Sequence, residues 1–551
     1  MIHDTNLFHE PIQPMTIISS IDILIIAIYL IGILIIGIRV ARSNNTGSDS
    51  YFLAGRTLKW PVIGAALFAS NISTVHLVGL AASGFQDGLV WGNFELLAIL
   101  TLIILSLVFA PFYFKNKIST LPEFLEKRYN GTVRSCMAVL ALLGAMFMHI
   151  GVSLYAGAVV FEHFFGLNVY ASILAISLIT TIYTVVGGLQ SVVITETIQT
   201  VILIAGAIAL TIFALLALPE HGISNWDELV SATKPEQLNL FPSESNPSGL
   251  TWQALLLGYP VIGIWYWCAD QTIVQRVLGA QTLHDAKVGP LFAAFIKILP
   301  LFIFVLPGVL GYVLFKDVIL DPNDTFPVLI TSLLPIGLKG LMAAALLAAL
   351  MSTIAAALNS AGTLVSIDIV KGYRPDISES KQILIGRVTA VIVMIIAISW
   401  SPLVARFNSI FEAINVLLTV ISPPITTVFL WGVFWKRGNH QGALATFVGG
   451  FLLGLLAFLV DFPVVGDTKM ITEGMGISFM MQAWWLFVTC SIIYITVSLA
   501  THPPDYVRIK KFTSESPIYL LKKEQHETWN LPLLLSIVLI LFLILIYTTI
   551  G

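Results

Sequence analysis

Ala69-Ser70-Asn71-Ile72-Ser73-Thr74-Val75-His76 sets five polar side chains at the centre of an otherwise apolar window, residues 60–81. A helix facing lipid would carry none of them there, because an unsatisfied polar group in hydrocarbon costs several kcal/mol. Backbone that unwinds at membrane depth persists only where it is buried in protein or lines a water-filled cavity. The stretch therefore predicts a broken membrane helix with freed carbonyls beside a polar cavity.

The rest of the chain supports a membrane setting. Of 551 residues, 57% are hydrophobic and only 11% charged, with a mean hydropathy of +0.91. A soluble domain carries about 25% charged residues, so the chain is read as an integral membrane protein. A net charge of -3 gives no reason to expect a nucleic-acid partner. Cys136, Cys268 and Cys490 all lie in apolar segments and form neither a disulfide frame nor a CxxC metal site. No basic region precedes the first apolar run, which argues against a cleaved signal peptide.

Apolar windows of about twenty residues predict an all-α fold of about fourteen transmembrane helices, with windows at 168–186, 193–218 and 250–273 among them. Most Lys and Arg fall in alternate connections: Arg39 to Lys59, Lys115 to Arg134, Arg276 to Lys287, Lys371 to Arg387, Lys436 with Arg437, and Arg508 to Lys523. The positive-inside rule then places both termini outside the cytoplasm. The 250–273 window carries Gly258, Pro260 and Gly263, so a second interruption is expected there. One helix, five spans and five more spans with matched interruptions is the pattern of inverted repeats with discontinuous first helices. Glycines used only for close helix packing explain each break alone but not the pair.

Trp265-Tyr266-Trp267-Cys268-Ala269-Asp270-Gln271 closes that window with three aromatic rings beside polar and acidic groups. Such a run suits the wall of a site for a polar, uncharged ligand; an interfacial aromatic belt is the plainer alternative. Lys297 lies about ten residues into its window, roughly 15 Å along a helix, too deep to reach either headgroup layer easily. An ammonium at that depth needs a partner and marks a functional site, and Glu95 is the complementary acceptor. A carboxylate and an ammonium on opposite sides of a pocket would suit a ring bearing several hydroxyls, whereas a purely structural Glu-Lys pair would hold two helices together.

Ser70-Asn71-Ile72-Ser73 with His76, Phe94-Glu95, Leu121 to Arg128, Gly187-Gly188-Leu189, Trp265 to Arg276 and Phe434-Trp435-Lys436-Arg437 keep their order along the chain. Together they resemble the sodium/solute symporter family, sodium/glucose cotransporter branch. The resemblance implies a LeuT-like core of two five-helix inverted repeats, with one extra helix before it and three after. The chain then divides into 1–45 (extracytoplasmic N-terminus and first extra helix), 46–218 (first repeat), 219–249 (extracytoplasmic loop), 250–437 (second repeat) and 438–551 (three further helices).

The same resemblance implies Asn71, His76, Phe94, Glu95, Tyr266, Trp267, Lys297 and Asn415 as contacts for a neutral sugar or polyol, with Phe94 and Tyr266 as gates. It implies a sodium site made of the carbonyls of Ala69, Ile72 and Ala349 and the hydroxyls of Ser352 and Thr353. Glu196, where the family usually has Asp, is expected either to guide sodium inward or to be solvated at the inner interface. Three departures bear on the substrate: Asn415 stands for the usual Gln, Gly263 for Thr or Asn, and Ala98 for a Ser of some bacterial relatives. These leave a hexose, myo-inositol or a modified sugar open. Relatives proposed to carry two sodium ions have hydroxyls one turn beyond the first pair; Ala355 and Ala356 stand there, so one sodium per solute is expected.

The expected function is sodium-coupled import through a cell membrane, with sodium as the coupling ion and no organic cofactor. The rivals are a non-transporting sugar sensor, which would need no ion site, and a membrane enzyme, for which no HExxH or Gly-rich phosphate loop is present.

Overall fold

The computed structural model describes residues 19–43, 47–166, 168–241, 249–406, 410–461, 469–513 and 530–550. Among these the regular structure is helical, and eleven helices are long and apolar enough to cross a membrane, or twelve if the bent pair Trp60–Asn71 and Thr74–Gln86 is one span. Val169–Ala217 is a single helical run over two of the expected windows, bending at Gly188, whose φ of 63° lies in the left-handed region that glycine tolerates. The 250–273 window is represented by the shorter apolar helix Ala254–Ala269.

The break at Asn71 is present as the polar stretch predicts. Ile72 (φ -76°, ψ 112°) and Ser73 (φ -113°, ψ 176°) are extended, and the two halves bend by 62°. The second half restarts with a capping box, in which Ser73 and His76 satisfy each other's first-turn backbone groups.

The second break lies elsewhere than expected. Helix continues through Gly258, Pro260 and Gly263 as the π turn Ala254–Gly258, the α-helix Tyr259–Ile264 and a second π turn, Trp265–Ala269. It ends at Asp270 (φ -85°, ψ 120°), whose carboxylate accepts the Thr272 N–H at 2.8 Å and starts the helix Gln271–Leu278. Pro260 sits in the first turn after a π segment, where its missing N–H costs little. Gly258 permits close packing: a Cβ there would stand 2.3 Å from the Met480 carbonyl oxygen.

Leu338–Thr363 is the central element. The apolar window of the span containing it is 94% buried inside the protein, against 22% for Phe479–Ala500 and Leu531–Ile550, which face outward. It packs on Val169–Ala217 and on both halves of the broken span, while Trp60–Asn71 also packs on Leu283–Ile296. Thr74–Gln86 lies against Leu306–Phe315. The connection after Val169–Ala217 folds back over the end of Thr74–Gln86: Gln237 Nε2 donates to the Phe85 carbonyl at 2.9 Å and Lys234 Nζ to the Gln86 carbonyl at 2.8 Å.

Candidate solute and cation sites at the broken helices

One cavity collects most of the side chains singled out above. Asn71, His76, Phe94, Glu95, Tyr266, Trp267 and Lys297 all line it. They arrive from the broken span, from Asn93–Ile104, from the π turn before Asp270 and from the end of Leu283–Ile296.

A continuous polar chain crosses this wall. Lys297 Nζ donates to Glu95 Oε2 and to Asn71 Oδ1, and Asn71 Nδ2 donates to the Tyr266 hydroxyl at 3.1 Å. An ammonium can only donate, which fixes the Asn71 amide with its oxygen toward Lys297. Lys297 is 1% exposed, with Nζ 5.4 Å from the Trp267 ring centroid. Glu95 and Lys297 are thus in direct contact rather than on opposite sides of a pocket. At this depth each charge alone would carry a desolvation cost of several kcal/mol, and adjacency is the arrangement that offsets it. Because both also border the cavity, the pair can hold two helices together and also offer charge-assisted donors and acceptors toward the cavity.

His76 and the aromatic rings complete the wall. The His76 Nδ1 accepts the Ser73 N–H at 3.3 Å, so the ring proton sits on Nε2 and is free to donate. Phe94 is stacked between Trp91 (5.8 Å) and Phe479 (6.3 Å) and meets Tyr259 edge-on (5.9 Å). Trp265, Tyr266 and Trp267 form a second set of edge-to-face contacts at 5.9 and 5.2 Å. The side chain of Asn415 lies outside the described residues; its neighbours Ile414 and Leu418 line the cavity. Ala98 and Gly263 also line it, so both departures fall on the wall.

Oxygen atoms converge beside this cavity. The Ser352 hydroxyl lies 2.9 Å from the carbonyl oxygens of both Ala69 and Ala349, either of which can accept its proton, and the Thr353 hydroxyl lies 3.2 Å from Ala349 O and 3.3 Å from Ser70 O. The Ile72 carbonyl, at the break, accepts no hydrogen bond among the described residues. Each hydroxyl keeps lone pairs when its proton is donated. Neutral oxygens of this kind suit a hard monovalent cation. No group of three His, Cys, Asp or Glu able to hold a metal occurs among the described residues. Thr353 also lines the cavity, so the two sites share a residue.

Glu196 is not solvated at an interface. It is fully buried, accepts from Arg276 Nη2 at 2.6 Å and Nε at 3.3 Å, and takes a third bond from the Ser70 hydroxyl at 2.9 Å. A buried carboxylate needs such a partner, and Arg276 supplies it from the helix that Asp270 starts.

Sequence reasoning missed a second buried pair. His149 Nε2 lies 2.6 Å from Asp270 Oδ2, and the His149 ring is 5.9 Å from that of Tyr266. His149 and Ser153 both line the cavity. Two polar residues one turn apart in an otherwise apolar span were the available signal.

A family model described as the sodium:solute symporter family matches residues 51–450. The human sodium/myo-inositol cotransporter is 34% identical over 555 residues, covering 92% of this chain and 77% of its own length. Sodium/glucose cotransporter 1 of Oryctolagus cuniculus is 33% identical over 530 residues, 88% of this chain and 80% of its own. A solved structure described as the substrate-bound, outward-open state of a Na+-coupled sialic acid symporter is similar in fold, with a TM-score of 0.75 at 21% identity over 89% of this chain and 99% of that one.

Proposed function

Because this chain belongs to the sodium:solute symporter family and is a sodium-coupled solute symporter with many membrane-spanning helices, we propose that its cargo is a neutral polyhydroxylated solute, a hexose or a related polyol, imported by alternating access. The observation that carries this reading is the chain Tyr266–Asn71–Lys297–Glu95 along a cavity that Thr353 joins to the oxygen cluster. Hydroxyls can donate to Glu95 and accept from Lys297, Asn71 and His76, while the flanking rings cover the apolar faces of a sugar.

In this scheme sodium binds between Ala69, Ile72, Ala349, Ser352 and Thr353 and holds the broken span in place. Solute then binds against the polar chain, and Phe94 and Tyr266 act as gates on its two sides. Glu196 with Arg276 flanks the sodium path. The core is two inverted repeats, 46–218 and 250–437, in a cell membrane with both termini outside.

Myo-inositol is the second candidate, favoured by several relatives that are sodium/myo-inositol cotransporters at 33–34% identity, close to that of the glucose carrier. A non-transporting sensor would have no use for the Ser352 and Thr353 cluster, which speaks for coupled transport. Uptake of radiolabelled hexoses and polyols into sealed vesicles, with sodium or potassium outside, tests the reading. Sodium-dependent accumulation of one class is expected, and equal entry in both salts would overturn it.

A further inference from the structure

Two polar atoms on the cavity wall have no hydrogen-bond partner among the described residues. Ser153 is 2% exposed, and its hydroxyl makes no hydrogen bond among the described residues. Serines and threonines in apolar helices usually bond a carbonyl one turn back, as Thr184, Thr195 and Thr211 do here at 2.8 to 3.0 Å. Ser153 instead follows directly on the π segment Gly144–Val152, where the backbone register shifts by one residue, an irregularity frequent at functional sites.

One turn earlier, His149 is 4% exposed and committed to Asp270 through Nε2. A carboxylate accepts, so Nε2 carries a proton, and in the neutral ring the Nδ1, which makes no hydrogen bond among the described residues, is an acceptor. The Asp270 contact also fixes the ring beside Tyr266. Leaving such groups unmatched at this depth would be costly, and both border the space where a solute would sit.

We infer that His149 and Ser153 form a second hydroxyl-binding wall of the cavity, separate from Glu95 and Lys297, which selects among polyhydroxylated solutes by the position of their hydroxyls. The inference rests on the proposed cargo class. Ser153 can donate to or accept from one ring hydroxyl, and His149 accepts from a neighbouring one, with Asp270 as its positioning partner.

The test compares the full-length protein with Ser153→Ala in sealed vesicles under a sodium gradient. The probes are D-glucose and myo-inositol, and then the monodeoxy analogues of whichever is accumulated. For wild type, one analogue should lose about fivefold in apparent affinity, as expected for one neutral hydrogen bond. Ser153→Ala should show that loss with the parent solute and no further loss with that analogue. If Ser153→Ala does not reach the membrane, Ser153→Cys, of similar size, carries the same comparison. Identical analogue profiles in wild type and variant would overturn the inference and leave the transport reading intact. Absence of sodium-driven uptake of either solute by wild type would instead overturn the cargo reading beneath it.

Discussion

Lys297 and Glu95 show what a buried pair does at the scale of single residues. Removing one partner strands a charge, at a cost of about 3–5 kcal/mol, whereas neutralising both does not. Lys297→Ala is therefore expected to abolish concentrative uptake and to lower the melting temperature in detergent. Adding Glu95→Gln should restore most of the stability and none of the uptake, with sodium binding largely retained in both variants. Uptake by the double variant would make the pair purely structural. The members of this polar chain were legible because a charge or amide at membrane depth stands out against apolar neighbours. His149 and Ser153 left only a weak signal, two polar residues one turn apart in an apolar span, because their relation to Asp270 and the cavity exists only after folding.

Among the elements, the two broken helices were unequally legible. The first break announces itself through five consecutive-turn polar side chains and a Ser-His cap. The second was sought at Gly258, Pro260 and Gly263, although an Asp before a new apolar helix, Asp270-Gln271-Thr272-Ile273, is an N-cap signal of the ordinary kind. Gly258 serves packing against Met480, so Gly258→Ala should destabilise the protein by about 1–3 kcal/mol through overpacking and leave the sodium concentration for half-maximal uptake unchanged. Thermal unfolding and sodium titration check this. Unaltered melting with slower turnover would return Gly258 to the role of a hinge. The π turns at Gly144–Val152 and Trp265–Ala269 leave no trace in hydrophobic periodicity, since apart from His149 their residues are apolar or aromatic all round.

For the whole molecule, the sharpest expectation is the coupling ratio. Ala355 and Ala356 are fully buried and offer only methyl groups one turn beyond Ser352 and Thr353. Glu196, the remaining acidic group nearby, is engaged by Arg276 and Ser70. One sodium per solute is therefore the expected ratio. At 100 mV one charge contributes about 2.3 kcal/mol, so a neutral solute should accumulate about 50-fold from the potential alone, against about 2500-fold for two sodium ions. Reversal potentials in proteoliposomes across several sodium gradients distinguish the two, and a ratio of two would sink the expectation.

Thr353 belongs at once to the oxygen cluster and to the cavity wall. Free energy is a function of state, so whatever factor sodium adds to solute affinity through this shared residue, solute must add to sodium affinity. The two dissociation constants are thus faces of one coupling energy. A calorimetric titration of either ligand, repeated in the presence of the other, measures it from both directions, and Thr353→Ala should shrink both factors equally.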